Sequence, residues 1–293
     1  MTIILGDNQY GKAETHLVRV TRSGPDGRTH EIKDLNVSVA LAGDFAATHL
    51  SGDNSKIIPT DTQKNTIFAF AGDEPIGEIE DFALRLARHF VGEHAWVFRA
   101  RVSIEEQPWT RIAVDGHPHP HAFVRAGSEL RLATATCTDA GEWIVAGIDG
   151  LVILKSTGSE FTGYPKDHYT TLAETRDRIL ATAVTARWRY GTAPAEWSKS
   201  FAETRRVLIE TFAVKHSLSL QQTLYAMGEA VLKARPEVAE IRLSMPNKHH
   251  FVVDLSPFGL VNKHEVFHAA DRPYGLIEGT VTRGDAPEAG FAW

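Results

Sequence analysis

Leu35-Asn36-Val37-Ser38-Val39-Ala40-Leu41 alternates apolar and small or polar residues without a break. A period of two over seven residues predicts a strand with one apolar face. Upstream, Thr15 to Arg22 reads as a second strand. Between them Gly24-Pro25-Asp26-Gly27 supplies turn-forming residues, so the two runs predict an antiparallel hairpin. The period then changes. Ile79, Phe82, Ala83, Leu86 and Phe90 fall at helical spacing, and Pro75 suits a first helical turn. Alternation returns with Trp96, Phe98, Ala100, Val102 and Ile104 against Val97, Arg99, Arg101 and Ser103, and a further strand is expected over His121–Arg125.

The second half restates this order. Strands are expected at Glu129–Thr136 and Glu142–Ser156, then a helix near Ser198–Val214 with Phe201, Val207, Leu208 and Phe212 on its apolar side. A second helix begins at about Ser219, a good N-cap, and aligns Leu220, Leu224, Met227 and Val231. Strands resume at Glu240–Met245, Phe251–Leu255 and Leu276–Thr282. The pattern is an α+β fold of two repeats of strands, helices and strands, over residues 1–135 and 136–293, with the boundary falling between 127 and 140. A small antiparallel sheet covered by helices on one side leaves its other face and its edges open. Oligomerisation is the natural way to cover them.

Composition narrows the function. The 293 residues are 43% hydrophobic and 23% charged, the mix of a globular protein. A formal net charge of -6 without a long basic stretch argues against nucleic acid as a partner. No apolar run is long enough to span a bilayer. The start, Met1-Thr2-Ile3-Ile4-Leu5-Gly6-Asp7, lacks a basic segment followed by an apolar one, and Gly290-Phe291-Ala292-Trp293 is not a peroxisomal Ser-Lys-Leu ending; a cytoplasmic protein is expected. Cys137 is the single cysteine, which excludes an intrachain disulfide and a cysteine zinc site. Phosphate-binding loops, dinucleotide fingerprints and Gly-x-Ser-x-Gly are absent.

Three clusters are candidates for chemistry. His117-Pro118-His119-Pro120-His121 places three histidines in alternation, as a metal site or as a proline-stiffened loop entering a strand. Pro246-Asn247-Lys248-His249-His250 sits at an expected strand end, as a polar substrate site or as a solvated turn. Pro59-Thr60-Asp61-Thr62-Gln63-Lys64-Asn65 reads as a helix N-terminus with Thr60 or Asp61 as cap, a place that also receives anions. Lys12, in Tyr10-Gly11-Lys12, is by spacing alone an ordinary surface lysine.

The stretch from Leu151 to Arg178 carries more. Leu151-Val152-Ile153-Leu154-Lys155-Ser156-Thr157-Gly158-Ser159-Glu160-Phe161, then Tyr164, Tyr169, Leu172 and Arg178, resembles the uricase signature in residue type and spacing. Tyr10-Gly11-Lys12, Thr60-Asp61 with Lys64-Asn65-Thr66, and Pro246-Asn247-Lys248-His249 resemble that family's lysine, threonine and Asn-Lys-His motifs, in family order. The resemblance implies the tunnelling fold, two tandem ββααββ repeats in a barrel-like homotetramer with sites at subunit interfaces. It implies urate and O2 as partners, no metal and no organic cofactor. Phe161 is then expected to stack on the purine, and Arg178 and Gln221 to grip its edge. Leu220, where the family usually has valine, and Asp61 are expected to contribute backbone amides. The resemblance further implies that Lys12, Thr60 and His249 form the proton-handling set and that Thr60 and Asn247 hold O2. Within the same fold, a zinc-dependent enzyme acting on pterins or purines through the histidine cluster, or a purine-binding protein without catalysis, are the alternatives.

Overall fold

The computed structural model describes every residue except Pro25 and the side chain of Asp271. The chain forms two compact units, Met1–Gly147 with Glu288–Trp293, and Ile148–Pro287.

In the first unit β1 (Tyr10–Ser23) and β2 (Thr29–Gly43) pair antiparallel, with Leu17 opposite Leu35. The turn read at Gly24-Pro25-Asp26-Gly27 includes Pro25, which lies outside the described residues. The short helix α1 (Ala46–Ser51) and helices α2 (Thr60–Asp73) and α3 (Ile79–Glu93) follow. Then come β3 (Val97–Glu106) and a hairpin, β4 (Trp109–Val114) and β5 (His117–Arg125), before β6 (Leu130–Thr138) pairs with β3. Leu35, Val37, Val39 and Leu41 all point into the core, where they meet Ile67, Phe82, Leu86 and Phe90. Each such fully buried side chain contributes about 1.5–3 kcal/mol.

The second unit is reached along β7 (Gly141–Lys155), which crosses the division, and continues with β8 (Leu180–Tyr190), α4 (Trp197–Val214), α5 (Leu220–Ala234), β9 (Val238–Val252) and β10 (Phe267–Thr282). Helix α5 lies on β9 and β10, and α4 packs on α5. Gly228 permits this: a Cβ there would come within 2.5 Å of Val281. Leaving aside α1 and the β4–β5 hairpin, the order in each half is ββααββ.

Several expectations need correction. A cut after residue 135 would divide β6, whose pairing with β3 is unbroken from Thr138 to Arg131. The first repeat therefore ends later, and β6 is its fourth strand. His121–Arg125 belongs instead to a separate two-stranded sheet whose strand starts at His117. The second repeat opens with β7 and β8, and β8 was not legible. Its buried positions include Ala181, Thr182 and Ala186, small or polar residues that give little apolar contrast with their neighbours. In β3 the apolar phase slips. Val97 is buried and Phe98 is 58% exposed, because the register with β2 jumps between Ala42 and Gly43. Pro75 precedes α3 rather than starting it. Among the described residues no helix is long and apolar enough to cross a membrane.

Candidate active site

In the second unit β9 and β10 form one wall of a cavity of about 300 Å³, at the lower end of the range for small-ligand sites. Phe161, Arg178, Asn247 and His249 all line it. Asn247 and His249 were expected at a strand end. They lie inside β9, which runs through Pro246: Asn247 pairs with Gly275 of β10 and Thr182 of β8, and His249 with Ala270. The register of β10 slips between Ala270 and Gly275, opposite this segment. A proline within an apolar run reads as a strand break in sequence, and here it is not one.

Phe161 and Arg178 sit on the irregular segment between β7 and β8. Phe161 bridges to Thr175, bonding in both directions through the backbone. Its ring stacks on Tyr164, with centroids 4.8 Å apart and planes 16° from parallel. The Arg178 guanidinium lies 5.2 Å from the Phe161 centroid. Arg178 is fixed twice to Ser159: its amide donates to the Ser159 carbonyl at 2.9 Å and its Nε to the Ser159 hydroxyl at 3.3 Å. Burial lowers the Arg178 pKa, though an arginine so far above neutrality stays charged. The His249 pKa is held below its ordinary value first by burial, then by the Arg178 charge and then by His250. This cavity thus combines a flat ring, a fixed cation and a histidine biased to neutrality.

Leu220 and Gln221 open α5, Leu220 buried and Gln221 exposed. Neither lines the cavity. Ser219 caps the helix as expected, its hydroxyl accepting from the Gln222 amide at 3.1 Å. Helical geometry leaves the first amides of α5 without intrahelical acceptors.

Lys12, Thr60 and Asp61 lie in the first unit, Thr60 and Asp61 at the start of α2, and the Lys12 charge reaches Asp61. Tyr10 accepts from the Ile58 amide at 2.8 Å and donates to the Ile58 carbonyl at 3.2 Å, tying the start of β1 to the segment before α2. Gly11 is required beside Lys12, since a Cβ would sit 1.8 Å from the Val39 carbonyl oxygen. Directly after Lys12 the register with β2 shifts and Glu14 takes a positive φ of 55°, a bulge that re-aims the neighbouring side chains. The α2 cap differs from the expected Thr60 or Asp61. Pro59 holds the N-cap position of α2 and has no side-chain acceptor, so Thr60 and Asp61 are the first two helical residues. The Asp61 carboxylate instead takes Lys64 and Asn65. These contacts lower its pKa, Lys64 most, with a smaller pull from the Lys12 charge.

His117, His119 and His121 belong to β5. The His119 and His121 rings lie 4.6 Å apart, and His121 also approaches His30 at 5.7 Å. Among the described residues no three histidine, cysteine, aspartate or glutamate side chains are grouped to hold a metal ion. Cys137 is buried, and burial pushes its thiol up to about 12, which makes it a packing residue and no nucleophile.

The uricase family profile matches residues 8–136 and 144–278. The chain belongs to the uricase family. The uricase of Arthrobacter globiformis is 53% identical over 281 residues, spanning 96% of this chain and 90% of its own. The uricase of Dictyostelium discoideum is 39% identical over 280 residues, spanning 94% of this chain and 96% of its own. The crystal structure of the Arthrobacter globiformis uricase aligns at a TM-score of 0.93 and 52% identity, covering 98% of each chain.

Within the uricase signature, sequence reasoning assigned roles to Phe161 and Arg178 alone. Ser159 and Tyr164 are among the signature residues it left without a role, and the structure sets both directly against that pair. Their fixed spacing within the signature was the available signal.

Proposed function

We propose that the chain oxidises urate with O2 and water, giving 5-hydroxyisourate and H2O2, with the purine held in the second-unit cavity. Membership of the uricase family supports the substrate. The observation that carries the site is the convergence of Phe161, Arg178, Asn247 and His249 on one cavity. The Phe161 ring offers a stacking surface for a planar heterocycle. The Arg178 fork supplies a permanent planar charge for an anionic one. Gln221 has a donor and an acceptor for the amide edge, and the backbone amides of Asp61 and Leu220 add donors from two helix starts.

The proposed reaction begins with removal of a second proton from bound urate. Thr60 passes it to Lys12, and His249 extends the relay. The resulting electron-rich dianion gives two electrons to O2 held near Asn247 and Thr60, and O2 leaves with two protons as H2O2. Water then adds to the oxidised ring and its hydroxyl becomes that of 5-hydroxyisourate. Electron transfer to O2 is ordinarily the work of a cofactor, and here the dianion is proposed to provide the electrons itself.

Lys12, Thr60 and Asp61 are proposed to reach the cavity from a neighbouring copy, in a homotetramer. Two features support assembly. Thr60 and Asp61 are exposed in the chain, although a proton relay works best where water is excluded. Both units also leave apolar strand positions open, Val18, Val20 and Phe98 in the first and Val152, Leu154 and Leu276 in the second.

The deciding assay follows O2 and H2O2 when metal-stripped protein meets urate. One O2 lost and one H2O2 released per urate is the expected result. Activity lost on chelation and restored by zinc would sink the cofactor-free reading, and urate binding without O2 uptake would sink catalysis.

A further inference from the structure

Lys155 ends β7 and is half-buried. Its ammonium donates to the Phe212 carbonyl at 3.4 Å, to the Lys215 carbonyl, and to the Ser217 hydroxyl at 2.7 Å. Those three acceptors use all three protons of the group. The two carbonyls close the C-terminal end of α4, where a cation is favoured by the helix dipole. Burial lowers the Lys155 pKa, as it does for an ammonium facing neutral acceptors.

The third bond leads to the site. Ser217 is fully buried, and its hydroxyl meets that of Thr223 at 2.6 Å. Thr223 donates onward to the Ser219 carbonyl at 3.1 Å. Since Thr223 has one proton, Ser217 must donate to it, and Lys155 must donate to Ser217. The donors therefore run one way, from the cation into the first turn of α5, where Leu220 and Gln221 stand. The Ser217 backbone runs the other way. Its amide donates to the Gly158 carbonyl at 2.9 Å, and its carbonyl accepts from Glu160 at 2.8 Å, bridging it to Ser159. Ser159 is fully buried and holds Arg178 through both its carbonyl and its hydroxyl.

We propose that Lys155 is a positioning residue: through Ser217 it fixes the first turn of α5 relative to the Ser159 cradle of Arg178, and so sets the spacing of the two groups assigned to the purine edge. This rests on the reading that Arg178 and Gln221 hold the purine. A misplaced pair weakens binding first, because neither group handles the proton.

Xanthine, which has the dione edge of urate, serves as a binding probe by calorimetry. Lys155→Met should weaken xanthine binding and raise the KM for urate by about tenfold or more, with kcat changed much less. Ser217→Ala, which leaves the α4 end capped, should shift both in the same direction by a smaller factor, and the double variant should bind no worse than Lys155→Met alone. Wild-type binding in folded Lys155→Met, or a loss confined to kcat, overturns the proposal. Should Lys155→Met fail to fold, wild-type binding by Ser217→Ala overturns it instead. A wild-type chain that consumes no O2 with urate defeats the assigned reaction, whereas an active wild type with unaffected variants defeats only the role of Lys155.

Discussion

Arg178 and Lys12 are the two cations assigned to the chemistry, and the molecule holds them in opposite ways. Arg178 is half-buried, anchored through backbone and side chain to Ser159, and stands over the Phe161 ring. Lys12 follows a glycine that only a bare backbone fits and precedes a bulge, while its ammonium, among the described residues, acts only at a distance on Asp61. A group that must recognise an anion gains from being fixed before the anion arrives. A group that must exchange a proton gains from having no standing partner to compete for it. The contrast predicts different failures. Lys12→Ala and Thr60→Ala should each cut turnover by about 10²–10⁴-fold, the usual weight of a positioned acid or base, with xanthine affinity nearly unchanged. Arg178→Ala should lose xanthine affinity by about 10–100-fold, as expected when a charge-assisted hydrogen bond is removed, and turnover with it. Equal loss of affinity in all three variants would erase the distinction.

The same contrast explains what could be read beforehand. Positions whose apolar spacing faces one core were legible, as in Leu35–Leu41, in the Ile79–Phe90 stripe and in the α5 stripe from Leu220 to Val231. β8 was missed because threonine and alanine fill much of its buried face, and Pro246 seemed to end a strand that in fact continues past it. The site was legible only through family resemblance. What makes Lys12 distinctive is the link from Tyr10 to Ile58 and the close approach of Val39 to Gly11, contacts between segments far apart in the chain. Arg178 depends in the same way on Ser159, and Ser159 on Ser217. Local periodicity has no term for such contacts.

A smaller effect sharpens the role of the fixed cation. His249 has a pKa below the ordinary 6.5, chiefly from burial and secondarily from Arg178. It is therefore neutral at pH 7, ready to accept a proton. Removing the charge in Arg178→Ala should move the His249 ring titration, followed by NMR, up toward 6.5 without reaching it, because burial remains. No movement would show that the two groups do not sense each other. The sign for stability follows from linkage. The unfolded chain takes up this proton near 6.5 and the folded chain only at lower pH, so the contribution present above 6.5 is lost as pH falls through the folded value.

The smallest effect concerns the two helix starts that present backbone amides. In α5 the Ser219 hydroxyl takes the Gln222 amide, and the Gln222 side chain takes the Leu218 amide. In α2 Pro59 stands at the cap and offers neither bond, so its first turn keeps its amides for another acceptor. Ser219→Ala removes about 1 kcal/mol of local stability and should speed hydrogen exchange of the Gln222 amide about fivefold. Pro59→Ser gives α2 the acceptor it lacks and should slow exchange in its first turn by a similar factor. If those α2 amides serve the substrate or O2, the new cap competes with that use and Pro59→Ser should also lower turnover. A slower first turn with unchanged turnover would mean that Thr60 works through its hydroxyl alone.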